Sequence, residues 1–318
     1  MKQDKTYQLL RPVKFVTDSY GFMNKTELPA YDIIALGDSF TTGSPISQEL
    51  IWHNQLSALL KLGTYSMAHP GEGPWHSLMN FQIEAPRLNI GPETTVIWEL
   101  FSGNDLYDFY GEALILPLPK HPGIIKRGWS MLKARWRHSL LRRWLPKWDK
   151  SNNIRKKNSV MVRKMPDGKT ILFHKTYAAR SRKSVKDITG HPNYSKLTLT
   201  LTRMKELIDE TGASFKIVLF PSKSEVYSWL YYEKEPWSTQ PVKSSFSKVL
   251  AEICSELGVD FLDIAPALIS ESKKLYESSG ELFYWSDDTH FNAKGHQRAA
   301  TLLKKFLSTS IVAKNGDK

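Results

Sequence analysis

The chain has 318 residues, 41% of them hydrophobic and 24% charged, which is enough to bury a sizeable core as one large domain or two small ones. No apolar run approaches the ~20 residues that span a bilayer, and a lone cysteine, Cys254, excludes an internal disulfide and a thiolate metal cluster. The net charge of +12 is unevenly held: residues 120–186 carry 21 Lys and Arg against Asp149 and Asp167, a balance of +19 that leaves −7 for the rest.

Residues 1–30 show little periodicity and read as an arm, with Pro12 and Pro29 as breakers. The first seven residues have no apolar stretch behind a positive start, so no signal peptide is expected in the sequence as given. The default expectation is the cytoplasm, or export if the N-terminus is trimmed. Ile33 to Leu36 is a short apolar run that suits a strand buried on both faces of a sheet. It breaks at Gly37, and Asp38, Ser39 and Phe40 follow before a helical pattern from Gln48 to Leu60. Ser39 therefore belongs to the turn between a central strand and the next helix, at the edge where open α/β sheets bind ligands. Taken alone, Gly-Asp-Ser is a polar turn.

Thr64 to Met67 reads as a second strand, Ala68 to Pro74 as a breaker-rich loop, Trp75 to Leu88 as a helix, and Thr95 to Phe101 as a third strand. This repeat of strand, loop and helix predicts a parallel sheet with right-handed crossovers. It stops near Gly111. A helical pattern from Gly123 to Leu145 follows, then two alternating runs around Pro166-Asp-Gly168 that read as a hairpin. The alternation resumes with a helix from Tyr194 to Glu210, a strand from Phe215 to Phe220, a helix from Val242 to Leu257, a strand from Val259 to Asp263 and a closing helix from Lys294 to Leu307. The fold expected is a three-layer α/β/α domain of flavodoxin-like topology, with a mostly parallel sheet of about five strands. It spans residues 31–310, carries a basic helix-hairpin insertion at about 112–193, and ends in a tail over 311–318.

Three more stretches fall where strands end: Pro70-Gly71-Glu72-Gly73, Gly103-Asn104-Asp105, and Ser286 to His296, which holds Asp287, Asp288 and His290. Singly these are a turn, a helix cap and a structural histidine. Together, and in this order, they resemble the SGNH hydrolases, also called the GDSL lipase/esterase family. Gly37-Asp38-Ser39-Phe40 matches its first block, Gly71 its glycine block, Gly103-Asn104-Asp105 its asparagine block and Asp287-x-x-His290 its last. The resemblance implies Ser39 as nucleophile and His290 as its base. It also implies an oxyanion hole from the Ser39 and Gly71 backbone N–H groups and the Asn104 amide, with a lipid, glycan or other O-acyl ester as substrate. Asp287, at the usual spacing, is the preferred triad acid. Asp288 would instead give D-x-H, which resembles the alginate O-acetylation proteins. Asp38 and Asp105 read as loop braces and His296 as structural. His69, His76 and Trp75 flank the glycine loop and either line the cleft or serve packing and solvent.

No H-E-x-x-H, no third glycine of a dinucleotide fingerprint and no P-loop occurs, so no metal or cofactor is expected, and no nucleic acid partner. In the basic segment Ile125, Trp129, Leu132, Trp136, Leu140 and Trp144 fall on one helical face. Such a helix either packs over the sheet with a solvated basic back or lies on an anionic membrane surface or acidic polysaccharide. The function expected is ester hydrolysis or acyl transfer through an acyl-enzyme. The alternative is a catalytically idle module that binds membranes or polyanions.

Overall fold

Ile33–Leu36 forms a strand, β1, in a computed structural model that describes residues 11–25, 27–109, 159–231 and 244–316, with side chains to 308. Its four residues are all buried. Ile34 and Leu36 enter the core on one face of the sheet, Ile33 and Ala35 the core on the other. That two-faced burial is what a continuous apolar run, rather than an alternating one, encodes.

Around β1 lie β2 (Thr64–Ser66), β3 (Thr95–Phe101), β6 (Ser214–Phe220) and β7 (Asp260–Asp263), in the order β2-β1-β3-β6-β7, with every neighbouring pair parallel. This is the flavodoxin-like doubly wound order. A separate hairpin pairs β4 (Val160–Lys164) with β5 (Thr170–His174). Its turn is closed by Gly168 at φ 81°, a conformation that favours glycine.

Helices cover both faces. α3 (Pro74–Glu84), α6 (Tyr194–Asp209) and α9 (Ser245–Glu256) bury Leu78, Leu201 and Leu250 in the first core. α2 (Trp52–Leu60), α10 (Ala265–Ser279) and α11 (Ala293–Gly316) bury Trp52, Leu268 and Leu303 in the second. Short helices α1 (Ser39–Thr42), α4 (Lys175–Ser181), α5 (Val185–Thr189), α7 (Lys223–Val226) and α8 (Ser228–Tyr231) shape the loops. Among the described residues no helix is long and apolar enough to cross a membrane.

The described residues of 11–109 and 161–316 form one compact unit. The tryptophan-bearing helix expected over 123–145 lies outside the described residues. The hairpin that follows belongs to the first unit, because Ile171 and Phe173 of β5 are buried in its second core.

Candidate active site

The turn after β1 is shaped by a buried carboxyl. Gly37 has φ 151°, and a Cβ there would fall 2.4 Å from both Glu99 Oε2 and Thr41 Oγ1, so only glycine fits. Glu99 Oε2 accepts the Thr41 hydroxyl at 2.9 Å and the Asp38 backbone N–H at 3.3 Å. Asp38 in turn caps α1, its Oδ1 accepting the Phe40 N–H at 2.8 Å. Ser39 therefore opens a one-turn helix rather than lying in a free turn. It is half-buried, with Phe40 fully buried beneath it. The helix expected from residue 48 begins at Trp52, after a 3-10 turn at Gln48–Leu50.

The base arrives from the loop before α11. His290 packs on Phe40, ring centroids 5.2 Å apart. Its Nε2 lies 2.8 Å from Ser39 Oγ and its Nδ1 2.5 Å from Asp288 Oδ1. The network assigns the proton to Nδ1, donated to the carboxylate, and leaves Nε2 to accept the serine hydroxyl.

The preference for Asp287 is therefore corrected: Asp288 is the carboxylate on His290. Residues 286–290 run as turns and bends, and Asp288 Oδ1 also accepts the His290 backbone N–H at 3.0 Å. That two-residue side-chain-to-backbone turn folds the Asp288 carboxylate under the imidazole. Asp287 faces away and pairs with Arg11 of the arm, whose guanidinium lies 4.1 Å over the Trp285 ring. Burial alone would raise the Asp288 carboxyl, but the hydrogen bond and charge of His290 hold it below the usual range.

The opposite wall follows β3. The Asn104 side chain donates from Nδ2 to Asp108 Oδ2 at 2.5 Å, and the amide's second hydrogen leaves one donor for another acceptor. Asp105 Oδ2 accepts the Phe101 N–H at 2.7 Å and fixes the loop's start. Gly71 is exposed with φ 76°, and a Cβ on it would meet open space, whereas one on Gly73 would fall 1.9 Å from the Asp108 carbonyl oxygen. The loop backbone thus closes on Asp108 at Gly73. His69 packs on Phe22 with centroids 4.7 Å apart, and Trp75 packs against the first core. His296 is buried on α11 and held neutral down to about 3 by burial.

Sequence reading missed two contributors to this wall. Arg180 of α4 donates to the Gly103 carbonyl at 2.7 Å and stacks 3.8 Å over Tyr107. Tyr177, one turn earlier, meets Phe101 edge-on at 5.4 Å. Beneath the wall lie the buried Asp38, Glu99 and Asp105. Burial, then mutual charge, pushes Glu99 and Asp105 well above the usual carboxyl range. Among the described residues no group of three or more His, Cys, Asp and Glu is arranged to hold a metal ion.

No protein-family model matches the chain, and no curated protein matches it. Solved structures similar in fold include a protein from Bacillus subtilis (12% identity, TM-score 0.46), of whose length this chain spans 58% while 89% of this chain is covered. A member of the lipolytic protein G-D-S-L family from Veillonella parvula is also similar, at 11% identity and TM-score 0.39, with 85% of this chain and 93% of that one covered. The psychrotrophic esterase EstA from Pseudoalteromonas sp. stands at 12% identity and TM-score 0.39, with 89% and 98% covered.

Proposed function

We propose that this protein is a serine-dependent ester hydrolase or acyl transferase that works through an acyl-enzyme on Ser39. The observation that carries the reading is the unbroken chain from Ser39 Oγ to His290 Nε2 (2.8 Å) and from His290 Nδ1 to Asp288 Oδ1 (2.5 Å). A hydroxyl at this distance from a neutral imidazole loses its proton as it attacks a carbonyl carbon. Asp288 remains ionised, fixes the tautomer and stabilises the imidazolium. The oxygen that becomes negative needs donors, and the role is assigned to the Ser39 N–H, which has no partner within its helix, the Gly71 N–H and the Asn104 amide. His290 then returns the proton to the leaving alcohol. Water, or a second hydroxyl, attacks the acyl-enzyme by the same route in reverse.

A second reading, transfer of the acyl group to a glycan hydroxyl, rests on the resemblance of the Asp288-x-His290 pattern to the alginate O-acetylation proteins. The +19 carried by residues 120–186 supports an ester presented on an anionic surface. Salt-sensitive sedimentation with anionic but not neutral vesicles is the expected behaviour.

Labelling with a fluorophosphonate, followed by peptide mapping, tests the mechanism. The modified residue is expected to be Ser39, with p-nitrophenyl acetate turned over by the unlabelled protein and not by the labelled one. A chain that neither labels nor turns over ester would make it a binding module.

A further inference from the structure

β6 ends at Phe220, and the four residues that follow Pro221 touch both walls of the site. Ser222 accepts no role in the chemistry above, yet its N–H donates to Ser102 Oγ at 2.9 Å and to Glu225 Oε2 at 2.6 Å, and Ser102 donates to that same carboxyl. Ser102 begins the loop that carries Asn104. Lys223 reaches the other wall. Its Nζ donates to the carbonyls of Trp285 at 2.5 Å, Ser286 at 2.9 Å and Asp288 at 3.0 Å. An ammonium has three N–H donors, so this one is saturated by the backbone of a single loop. The residue is 3% exposed and lies 5.6 Å from the Phe173 ring.

A buried lysine is costly to hold and easily replaced by an apolar side chain if packing is all that is wanted. Here the cation does what an apolar side chain cannot. It gathers three carbonyls of one loop, of which that of Ser286 also accepts the Leu172 N–H at 2.7 Å, and it fixes the turn from which Asp288 and His290 project. It also sets a positive charge beside the Asp288–His290 pair.

We infer that Lys223 is a positioning residue for the Asp288–His290 couple: it seats the loop through three carbonyls, and its charge tunes the basicity of His290. The inference rests on the proposed ester chemistry. Lys223 faces Asp288, Asp287 and Arg11, and His290 faces Asp288, Asp38 and His296 besides. Burial, opposed by Asp288 and Asp287, lowers the Lys223 amine to about 7. Most of the charge is thus present in the acid range where an imidazole takes its proton. A neighbouring cation disfavours a second one, so removing it makes His290 easier to protonate.

The test compares wild type with Lys223→Met, Lys223→Gln and Lys223→Arg, each first shown to fold by its melting curve. In the Met variant kcat for p-nitrophenyl acetate is expected to fall about 10- to 100-fold, with KM within about twofold. The acid limb of kcat/KM should move up by roughly half a pH unit or more. The His290 ring resonances, followed by NMR in the absence of substrate, should titrate upward by the same amount. Lys223→Arg keeps the charge but cannot seat three carbonyls on one nitrogen, so kcat should fall while the limb stays in place. Lys223→Gln replaces the Met variant if that one does not fold, with the same upward shift expected.

An unmoved limb and unmoved resonances in a folded neutral variant would overturn the proposal. Loss of the fold in both neutral variants would also overturn it, by making Lys223 a determinant of the domain rather than of the loop. Inactive wild type that leaves fluorophosphonate unreacted would strike the ester reading instead, and the ring titration still reports on Lys223.

Discussion

The two walls of the site are both rich in carboxyl groups, and they treat them in opposite ways. Under the Asn104 wall, burial and then the charge of neighbouring carboxyls push Glu99 and Asp105 well above the usual range, which favours their neutral forms. On the His290 wall, Asp288 accepts an imidazole proton and is held below it, so that it stands charged. The difference matches the reaction proposed. Negative charge would develop on the first wall, where an ionised carboxyl would repel it, and positive charge on the second, where a carboxylate attracts it. The same residue type thus serves two electrostatic ends through burial and partner alone.

The largest effects test whether the two walls meet at one hydroxyl. Ser39→Ala or His290→Ala should lower turnover by about 10⁶, measured on purified protein with p-nitrophenyl acetate. Retained activity in either variant would break the comparison at its centre. Next comes the charged wall: Asp288→Asn should cost about 10⁴ in kcat. Asp287→Asn, which loses an ion pair with Arg11 and not the histidine, should stay within about tenfold. The reverse ranking would return the acid to the more usual spacing.

On the neutral wall, Asn104→Ala should reduce kcat about 10² to 10³ with little change in KM; an effect confined to KM would make it a substrate contact. The smallest expected effect is the most discriminating. Glu99→Gln replaces a carboxyl whose charged form burial already disfavours, so kcat/KM should stay within about threefold, in contrast to the isosteric change at Asp288. The sign of its stability effect is fixed as well. A carboxyl raised in the folded state contributes stability that is full below its unfolded value and lost as pH rises through its folded one. Glu99→Gln should therefore gain on wild type as pH rises above the ordinary Glu value of 4.5, read from melting temperatures across a pH series. A gap that does not grow would mean that Glu99 is ionised in the fold.

The sheet was legible because its strands announce themselves. β1, β3 and β6 are apolar runs ended by Gly37, Ser102 and Pro221, and the helices between them have clear 3.6-residue patterning. α10 was not legible. Four serines and two lysines dilute its apolar stripe, and its borders, Pro266 and the Gly280 cap at φ 67°, are the clearest signals it has. Ser39 and His290 could be read because each heads or closes a block at a strand edge. The choice between Asp287 and Asp288 could not, because spacing along the chain carries no information on which way a turn folds. Lys223 and Arg180 act on backbone carbonyls, which leave no trace in residue type. A lysine just beyond Pro221 and Ser222 at the end of a central strand was the one hint available, since β6 alone among the central strands had no site residue assigned to its end.

One pairing in the sheet bears on how the protein is made. β3 takes as its neighbour not a strand that soon follows but β6, in register from Thr95↔Ser214 to Phe101↔Phe220. At about 5 to 20 residues per second, synthesis of residues 102–213 occupies roughly 5 to 20 seconds. Through that interval the emerged half holds a long apolar strand with one edge open, the form most prone to join other chains. Ser39, the proposed nucleophile, is made first and His290, its proposed base, 251 positions later, so a truncated chain carries the serine without the imidazole. The proposed chemistry therefore waits for His290, which leaves the ribosome after β6, after the turn behind it that holds both walls, and after β7.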